Sequence, residues 1–356
     1  MARRQRIALL FGGQSAEHEV SIQSATNVSA ALRKAGYDCI LIAIDKAGIW
    51  RLAEAVAPPE AAWPKAVMLP GGGGEIVVFS EPQQRLKADV VFPVLHGPKG
   101  EDGSLQGLLT LAGVPFVGPG VLASALSMDK AFSKRLLQAA GIPTVPGFAF
   151  EAAAAVPFDD AVAELGLPLF VKPANMGSSV GVSKVHDAAG YAAAVAEAFR
   201  YDSKVVVESF ADGQEIECAV LSLDGMQASL PGEIVPTSND GFYSYDAKYV
   251  DADGAKLLVP AELPAATVRQ VQALAIATAR AMGCEGMVRV DFFLKADGTL
   301  LVNEPNTIPG FTAISMYPKL WEASGIPPEQ LVVHLIDHAL ARFAREAALK
   351  SDRGSS

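Results

Sequence analysis

Cysteine is scarce, three in 356 residues: Cys39, Cys218 and Cys284. An odd number, widely spaced among apolar or small residues, argues against a disulfide scaffold, and the three read as reduced structural thiols. Basic residues are outnumbered, 29 against 39 acids, and the formal net charge of -10 argues against a nucleic-acid surface held by phosphate contacts. A local basic pocket is still allowed. Long apolar runs are missing: no stretch reaches the length of a bilayer span. IALLF, after the basic start MARRQR, is too short for a signal-peptide core and runs straight into glycines. A soluble cytoplasmic protein is expected. The glycine-rich segments lack what phosphate motifs need. No Lys-Ser/Thr pair follows GGGG at residues 71–74, as a P-loop requires, and GGQSAE at 12–17 has no third glycine for a dinucleotide fingerprint.

Half of the residues are hydrophobic, and 356 is too long for one typical domain, so two or three domains with cores of their own are expected. Residues 6–11 read as a buried strand. The glycines and Ser15 open a helix to about residue 35, stopped by Gly36, and residues 37–44 make a second strand. This βαβ unit turns its first loop toward a ligand at the carboxyl end of the sheet. Glu17, His18 and Glu19 crowd the helix start, where the dipole favours acids, so capping is one account of them. Residues 53–75 read as a surface loop. Residues 89–95 form a strand ending at His96, and Glu101 and Asp102 precede a helix at 104–112. A lone histidine there is either a ligand-site residue or a structural one. Residues 122–140 predict one helix carrying Lys130, and IPTVPGF then reads as an interdomain linker.

The next segment has a helix at 158–165, a strand at 169–172 and the loop PANMGSSVGVSKV, followed by a helix at 187–200. Rich in backbone N–H donors and flanked by Lys172, the loop can fold over phosphates or be a plain surface loop. Strands at 205–210 and 214–221 carry Glu208 and Glu215 at their ends. These acids suit an adenine amino group and ribose hydroxyls, although exposed acids at strand ends are common. Residues 231–250 contain GFYSYDAKYV, too polar and aromatic for a core strand and long enough for a functional loop or lid. A helix at 264–282 leads into a hairpin, and a helix at 329–345 precedes a polar tail. The domain boundaries expected are 1–140, 141–230 and 231–356.

The hairpin is GMVRVDFFLKADGTLLVNEPNTIPGFTAIS, residues 286–315. Two apolar runs flank Asp297-Gly298, a strong turn signal. If those two residues are the loop, Asp291 faces Glu304 and Arg289 faces Asn306, all on one side; a three-residue loop would break that register. Opposed residues lie about 5 Å apart, so two carboxylates repel by roughly 3 kcal/mol at an effective dielectric of about 20. Something cationic belongs between them. Carboxylate and amide oxygens are hard ligands that suit Mg²⁺ sharing its shell with substrate phosphates. The alternative is a hairpin whose acids pair with Arg289 and Lys295.

Taken in order, GGQSAEHEVS, LHGPKGEDGSLQG, SALSMDK, VKPANMGSSVG, EIVPTSNDGFYSYDAKY, RVDFF and NEPNTIPGFT resemble the D-alanine:D-alanine ligases of the ATP-grasp superfamily over nearly the whole chain. The resemblance implies an α/β ATP-grasp fold of three α/β domains, with ATP held between the central and C-terminal sheets. It matches Lys130, Lys172 and the loop residue Ser179 to the phosphates, Glu208 to adenine, Glu215 to ribose, and Phe210 and Ala211 to the flanks of the base. Asp291, Glu304 and Asn306 match a site for two Mg²⁺ ions, with Glu304 bridging; Mn²⁺ can substitute, and potassium activation is left open. Glu17 matches the carboxylate that takes the first D-alanine's ammonium, and Ser178 and Tyr249 the hydroxyls that close a loop over it. Arg289 and the Gly310 N–H match an oxyanion hole. His96 and Glu101 match residues near the first substrate, Lys248 and Ser315 the acceptor side.

The implied reaction is formation of D-alanyl phosphate and its capture by a second D-alanine, for peptidoglycan synthesis in a bacterium, in an enzyme that is usually a homodimer. The intact YDAKY favours an amine acceptor over D-lactate. Departures are mild: His18 stands where arginine is also found, Ser209-Phe210 replaces a Lys-Trp pair, and Ile308 stands where serine can occur. Glutathione synthetase and biotin carboxylase relatives need not share SAEHEVS or YDAKY. A non-catalytic nucleotide-binding protein would be expected to lose some of Arg289, Asp291, Glu304 and Asn306. The base for the incoming amine is left open.

Overall fold

The structure, a computed structural model, describes residues 5–80, 85–237 and 254–349. Lys248, Tyr249 and the YDAKY motif lie outside the described residues, as does the tail beyond 349.

The chain opens with β1 (Arg6–Gly12), α1 (His18–Lys34) and β2 (Asp38–Ile44), and the two strands pair in parallel from Arg6 opposite Asp38 to Gly12 opposite Ile44. The edge strand β3 (Trp50–Leu52) follows. Part of the stretch expected as loop is instead a strand: β4 (Ala66–Met68) joins β5 (Glu75–Val78) and β6 (Arg85–Lys87) in a small antiparallel sheet. Its apolar period is two residues deep, Ala66 and Met68 turned inward with Ile76 and Val78, too short to stand out among Ala, Pro and Gly. β7 (Val90–Pro93) lies parallel to β1 and completes the order β3-β2-β1-β7, and α2 (Ser104–Ala112) covers that sheet.

The single helix expected at 122–140 is two, α3 (Val121–Met128) and α4 (Lys130–Ala139). Asp129 between them is extended at φ -80° and ψ 101°, and its carboxylate accepts from the Ala131 and Phe132 N–H groups at 3.0 Å each. An aspartate that caps the second helix ends the first, a preference that apolar periodicity does not register.

The central unit comprises β8 (Gly147–Glu151), α5 (Phe158–Leu165), β9 (Leu169–Pro173), β10 (Ser183–Val185), α6 (Ala188–Ala198) and β11 (Lys204–Ser209), an antiparallel sheet ordered β10-β9-β11-β8. Leu169, Val171, Val205 and Val207 pack against Tyr191, Ala194 and Ala198 of α6. Alternation therefore turns Phe170, Lys172 and Glu208 to the opposite face.

The last sheet has the order β15-β14-β12-β16-β17, from β12 (Gln214–Leu223), β13 (Gly225–Ala228) on its flank, β14 (Gly232–Pro236), β15 (Ala255–Leu258), β16 (Met287–Leu294) and β17 (Leu300–Asn306). β12 pairs with β16, so this sheet draws in the chain from residue 214, ahead of the boundary expected at 231. Ile216, Cys218, Val290 and Phe292 pack on α7 (Ala265–Ala281), leaving Glu215, Glu217, Arg289 and Asp291 on the far side. α8 (Met316–Ala323) and α9 (Pro328–Ala347) return to α1 and share its core through Val28, Leu32, Leu331 and Leu335.

Cys39, Cys218 and Cys284 are unpaired thiols, and burial pushes those of Cys218 and Cys284 up to about 12. Among the described residues, no helix is long and apolar enough to cross a membrane.

Candidate active site

The β16–β17 hairpin pairs Arg289 with Asn306 and Asp291 with Glu304, as expected, but not through the turn expected. Leu294 faces Leu300, and Lys295 bonds Thr299, the register of a three-residue loop. A bulge beyond Asp291 then inserts Asn303 and restores the pairing by one residue. Asn303 and Glu304 both reach the same cavity as a result.

Each acid has a cation of its own, rather than one shared between the two. Arg289 grips Asp291 with Nε and Nη2 at 2.7 and 2.8 Å, and Nε lies 3.0 Å from Glu217 on β12. Lys130 reaches Glu304 at 3.2 Å, in place of the Lys295 considered from sequence. Asn306 Nδ2 donates to Asp291 at 2.9 Å. Two carboxylates and an amide on one face fit a hard divalent cation whose shell is completed by waters and phosphates. No group of three or more His, Cys, Asp and Glu forms a metal site among the described residues, so such an ion would depend on that outside completion.

A cavity of about 420 Å³ opens between the central and last sheets. Lys130, Lys172, Ser178, Ser179, Glu208, Phe210, Ala211 and Glu215 all line it, together with Glu304. Glu208 is buried and holds two ammonium groups, Lys172 at 2.6 Å and Lys134 at 2.8 Å. Burial alone would raise the Glu208 carboxyl, but the Lys172 and Lys134 charges keep it below the usual range. Phe170 stacks on Phe210, centroids 6.1 Å apart at 29°, and the Lys184 ammonium lies 4.6 Å from the Phe210 ring centre. Lys130 also donates to the Met176 carbonyl at 2.6 Å, which holds down the loop carrying Ser178 and Ser179.

A second cavity of about 310 Å³ is lined by Glu17, His96, Glu101, Ser178, Arg289, Gly310 and Ser315. Glu304, Ser178 and Gly177 line both cavities, so the two meet there. Ser178 donates to Glu17, and a Cβ at Gly177 would lie 2.8 Å from Glu17 Oε2, so any larger residue there must push that carboxylate aside. His96 is fully committed: Nδ1 bonds the Ile308 carbonyl at 2.9 Å and Nε2 lies 3.2 Å from Ser24 Oγ, which itself accepts from the Phe311 N–H at 3.1 Å. Burial lowers its basicity, and the neutral ring ties the loop of Gly310 to the first sheet. Glu101 accepts from the Gly97 N–H at 2.8 Å, and burial, with the Glu17 charge adding, pushes its carboxyl up to about 8. Ser315 Oγ accepts from the Thr312 N–H at 2.9 Å. Asp291 is not among the residues lining either cavity; it touches them through Arg289, which lines the second, and faces Glu304 across the hairpin.

Lys134, Phe170 and Glu217 are among the side chains at the site that the sequence pattern did not single out. Each repeats the period of one that it did. Lys134 is one helical turn from Lys130, Phe170 is two strand positions from Lys172, and Glu217 is two from Glu215.

Comparison with known proteins agrees with this geometry. Residues 6–119 match the D-ala D-ala ligase N-terminus family and residues 136–337 the D-ala D-ala ligase C-terminus family. A D-alanine--D-alanine ligase of Methylobacterium sp. (strain 4-46) is 52% identical, over 97% of this chain and 94% of its own. That of Shouchella clausii (strain KSM-K16) is 49% identical over 98% of each chain. Among solved structures, the D-alanine-D-alanine ligase from Coxiella burnetii superposes with a TM-score of 0.86 at 38% identity, over 97% of each chain. The VanG D-Ala:D-Ser ligase from Enterococcus faecalis gives 0.84 at 35%, over 95% of this chain and 100% of its own. Matched in both halves, in sequence and in three dimensions, the chain belongs to the D-alanine--D-alanine ligase family and has its ATP-grasp fold.

Proposed function

We propose that the protein joins two D-alanines into D-alanyl-D-alanine, with ATP converted to ADP and phosphate, and that the dipeptide enters peptidoglycan synthesis in the bacterial cytoplasm. The observation that carries this reading is the meeting of the two cavities at Glu304 and the Gly177–Ser178 turn. A polyphosphate in one and an amino acid carboxylate in the other would come together there. A carboxylate resists amine attack until its oxygen becomes a leaving group, so phosphoryl transfer from ATP forms the acyl phosphate first. The second D-alanine's amine then attacks, phosphate departs, and the amine's proton is lost.

In this reading Lys130 and Lys172 set point charges against the phosphates, with Ser179 and its loop folded over them. Glu208 receives the adenine amino group, Phe210 and Ala211 flank the base, and Glu215 takes the ribose. Asp291, Glu304 and Asn306 would hold two magnesium ions, or manganese in their place, which when bound offset charge on the transferring phosphoryl group. Glu17, held by Ser178, takes the first ammonium, while His96 and Glu101 shape that subsite. Arg289 and the Gly310 N–H stabilise the tetrahedral oxyanion. Ser315 and Lys248 receive the acceptor, and Tyr249 closes the lid over it. The working unit is a homodimer of three-domain chains, which light scattering would test.

Phosphate release from Mg-ATP with D-alanine as the only amino acid, and a product of D-alanyl-D-alanine mass, is the expected result. L-alanine should give neither. D-serine or D-lactate added with D-alanine tests the acceptor, and a mixed product as the main species would overturn the choice of D-alanine. Repeating the assay with sodium in place of potassium reads monovalent-cation activation.

A further inference from the structure

Glu208 has a second partner that the proposed reaction does not use. Lys134 on α4 is 7% exposed, its Nζ lies 2.8 Å from Glu208 Oε1, and it donates to the Val145 carbonyl. Lys172 occupies the other oxygen, Oε2, at 2.6 Å. Both carboxylate oxygens therefore carry a cation, yet only one of these cations has work elsewhere. Lys172 lines the cavity with the phosphate loop, whereas Lys134 does not line it and is held by the Val145 carbonyl.

We propose that Lys134 is a positioning residue for base selection, the standing counter-ion that keeps Glu208 a carboxylate when Lys172 turns to the phosphates. This rests on reading the larger cavity as the nucleotide site. A carboxylate oxygen only accepts hydrogen bonds, so Glu208 with Lys134 beside it suits a base that presents an amino group and repels one that presents a carbonyl at the same place. Without Lys134, Glu208 is a 4% exposed acid whose remaining cation is drawn to the phosphates. A buried carboxylate without a counter-ion takes up a proton instead. The protonated group donates through its O–H, and its preference between the two bases is lost. Burial already works against charge at Lys134, and the Glu208 charge opposes it, which marks the two as mutually dependent.

The test is calorimetric binding of ATP and of ITP, which carries a carbonyl where adenine has its amino group, to the full chain without D-alanine. Wild type should prefer ATP. Lys134→Met should lose about tenfold to a hundredfold in ATP affinity, with ITP affected much less, so that the ATP/ITP ratio collapses. Lys134→Arg, which keeps the charge, should keep the ratio and serves if the methionine variant fails to fold. Unchanged ATP affinity in Lys134→Met, or an equal loss for both nucleotides, would overturn the proposal, as would a ratio abolished by Lys134→Arg. A wild type that binds neither nucleotide overturns the cavity reading and this inference with it. A wild type that binds ATP selectively but forms no dipeptide overturns only the ligase reading.

Discussion

At the scale of single residues, Glu304 and Gly177 bear most directly on the chemistry, because both stand where the two cavities meet. Glu304→Ala removes the carboxylate on which a metal-assisted phosphoryl transfer would turn. The expected result is a chain that keeps its circular dichroism spectrum and loses at least about a hundredfold in phosphate release; near-normal turnover would sink the site assignment. Gly177→Ala places a Cβ 2.8 Å from Glu17 Oε2. It should raise the KM of the first D-alanine about tenfold or more while ATP affinity holds, a split that steady-state kinetics and nucleotide titration can separate. Glu101 carries a pH signature. Its folded value of about 8 stands above the ordinary 4.5, so the folded chain holds that proton more tightly than the unfolded one. Its contribution to stability is full below about 4.5 and is lost as pH rises toward 8, at most about 1.4 kcal/mol per pH unit. Wild type should therefore lose melting temperature between pH 5 and 8 faster than Glu101→Gln, and parallel curves would refute the assignment.

At the scale of elements, the hairpin register shows how a correct pairing arises from two departures. The Asp297-Gly298 signal predicts Asp291 opposite Glu304. The turn shifts the register by one and the bulge at Asn303 shifts it back. Period-two alternation is legible in the chain, but a bulge is not, since it depends on how β17 must twist against β16. The break between α3 and α4 was hidden for a different reason: apolar spacing runs through Asp129 without interruption, and the cap appears only on folding, in its backbone angles and the two N–H groups its carboxylate takes. Asp129 also pairs with Lys204 of β11 at 2.7 Å, joining α4 to the central sheet. Asp129→Ala should lower stability by about 1–2 kcal/mol through the lost cap, with part of that recovered in Asp129→Asn, which can still cap; denaturant melts measure both.

At the scale of the whole molecule, the larger cavity exists because the faces of two sheets that their own helices leave uncovered turn toward each other, and the second because the first segment brings Glu17, His96 and Glu101 against the last sheet. The first and last segments are locked by Arg342 of α9, which is buried and donates to the Gly118 and Phe116 carbonyls at 2.6 and 2.9 Å. Arg342→Met should cost about 2–4 kcal/mol, because two buried carbonyls lose their donors, and a loss below about 0.5 kcal/mol in urea melts would remove it as a clamp. The sequence by itself determined the strands and helices whose period is long enough to read, the face of each strand that carries charge, and the motifs that mark the family. These are local properties, written in neighbouring side chains. Only the tertiary structure decided that Lys134 meets Glu208, that Glu217 meets Arg289, that His96 is occupied by the Gly310 loop, and that Lys130 reaches Glu304. Those partners lie 72 to 212 residues apart in the chain. Which group answers which is set by the pairing of strands distant in the chain and by the docking of one segment against another, and no period in the sequence records it.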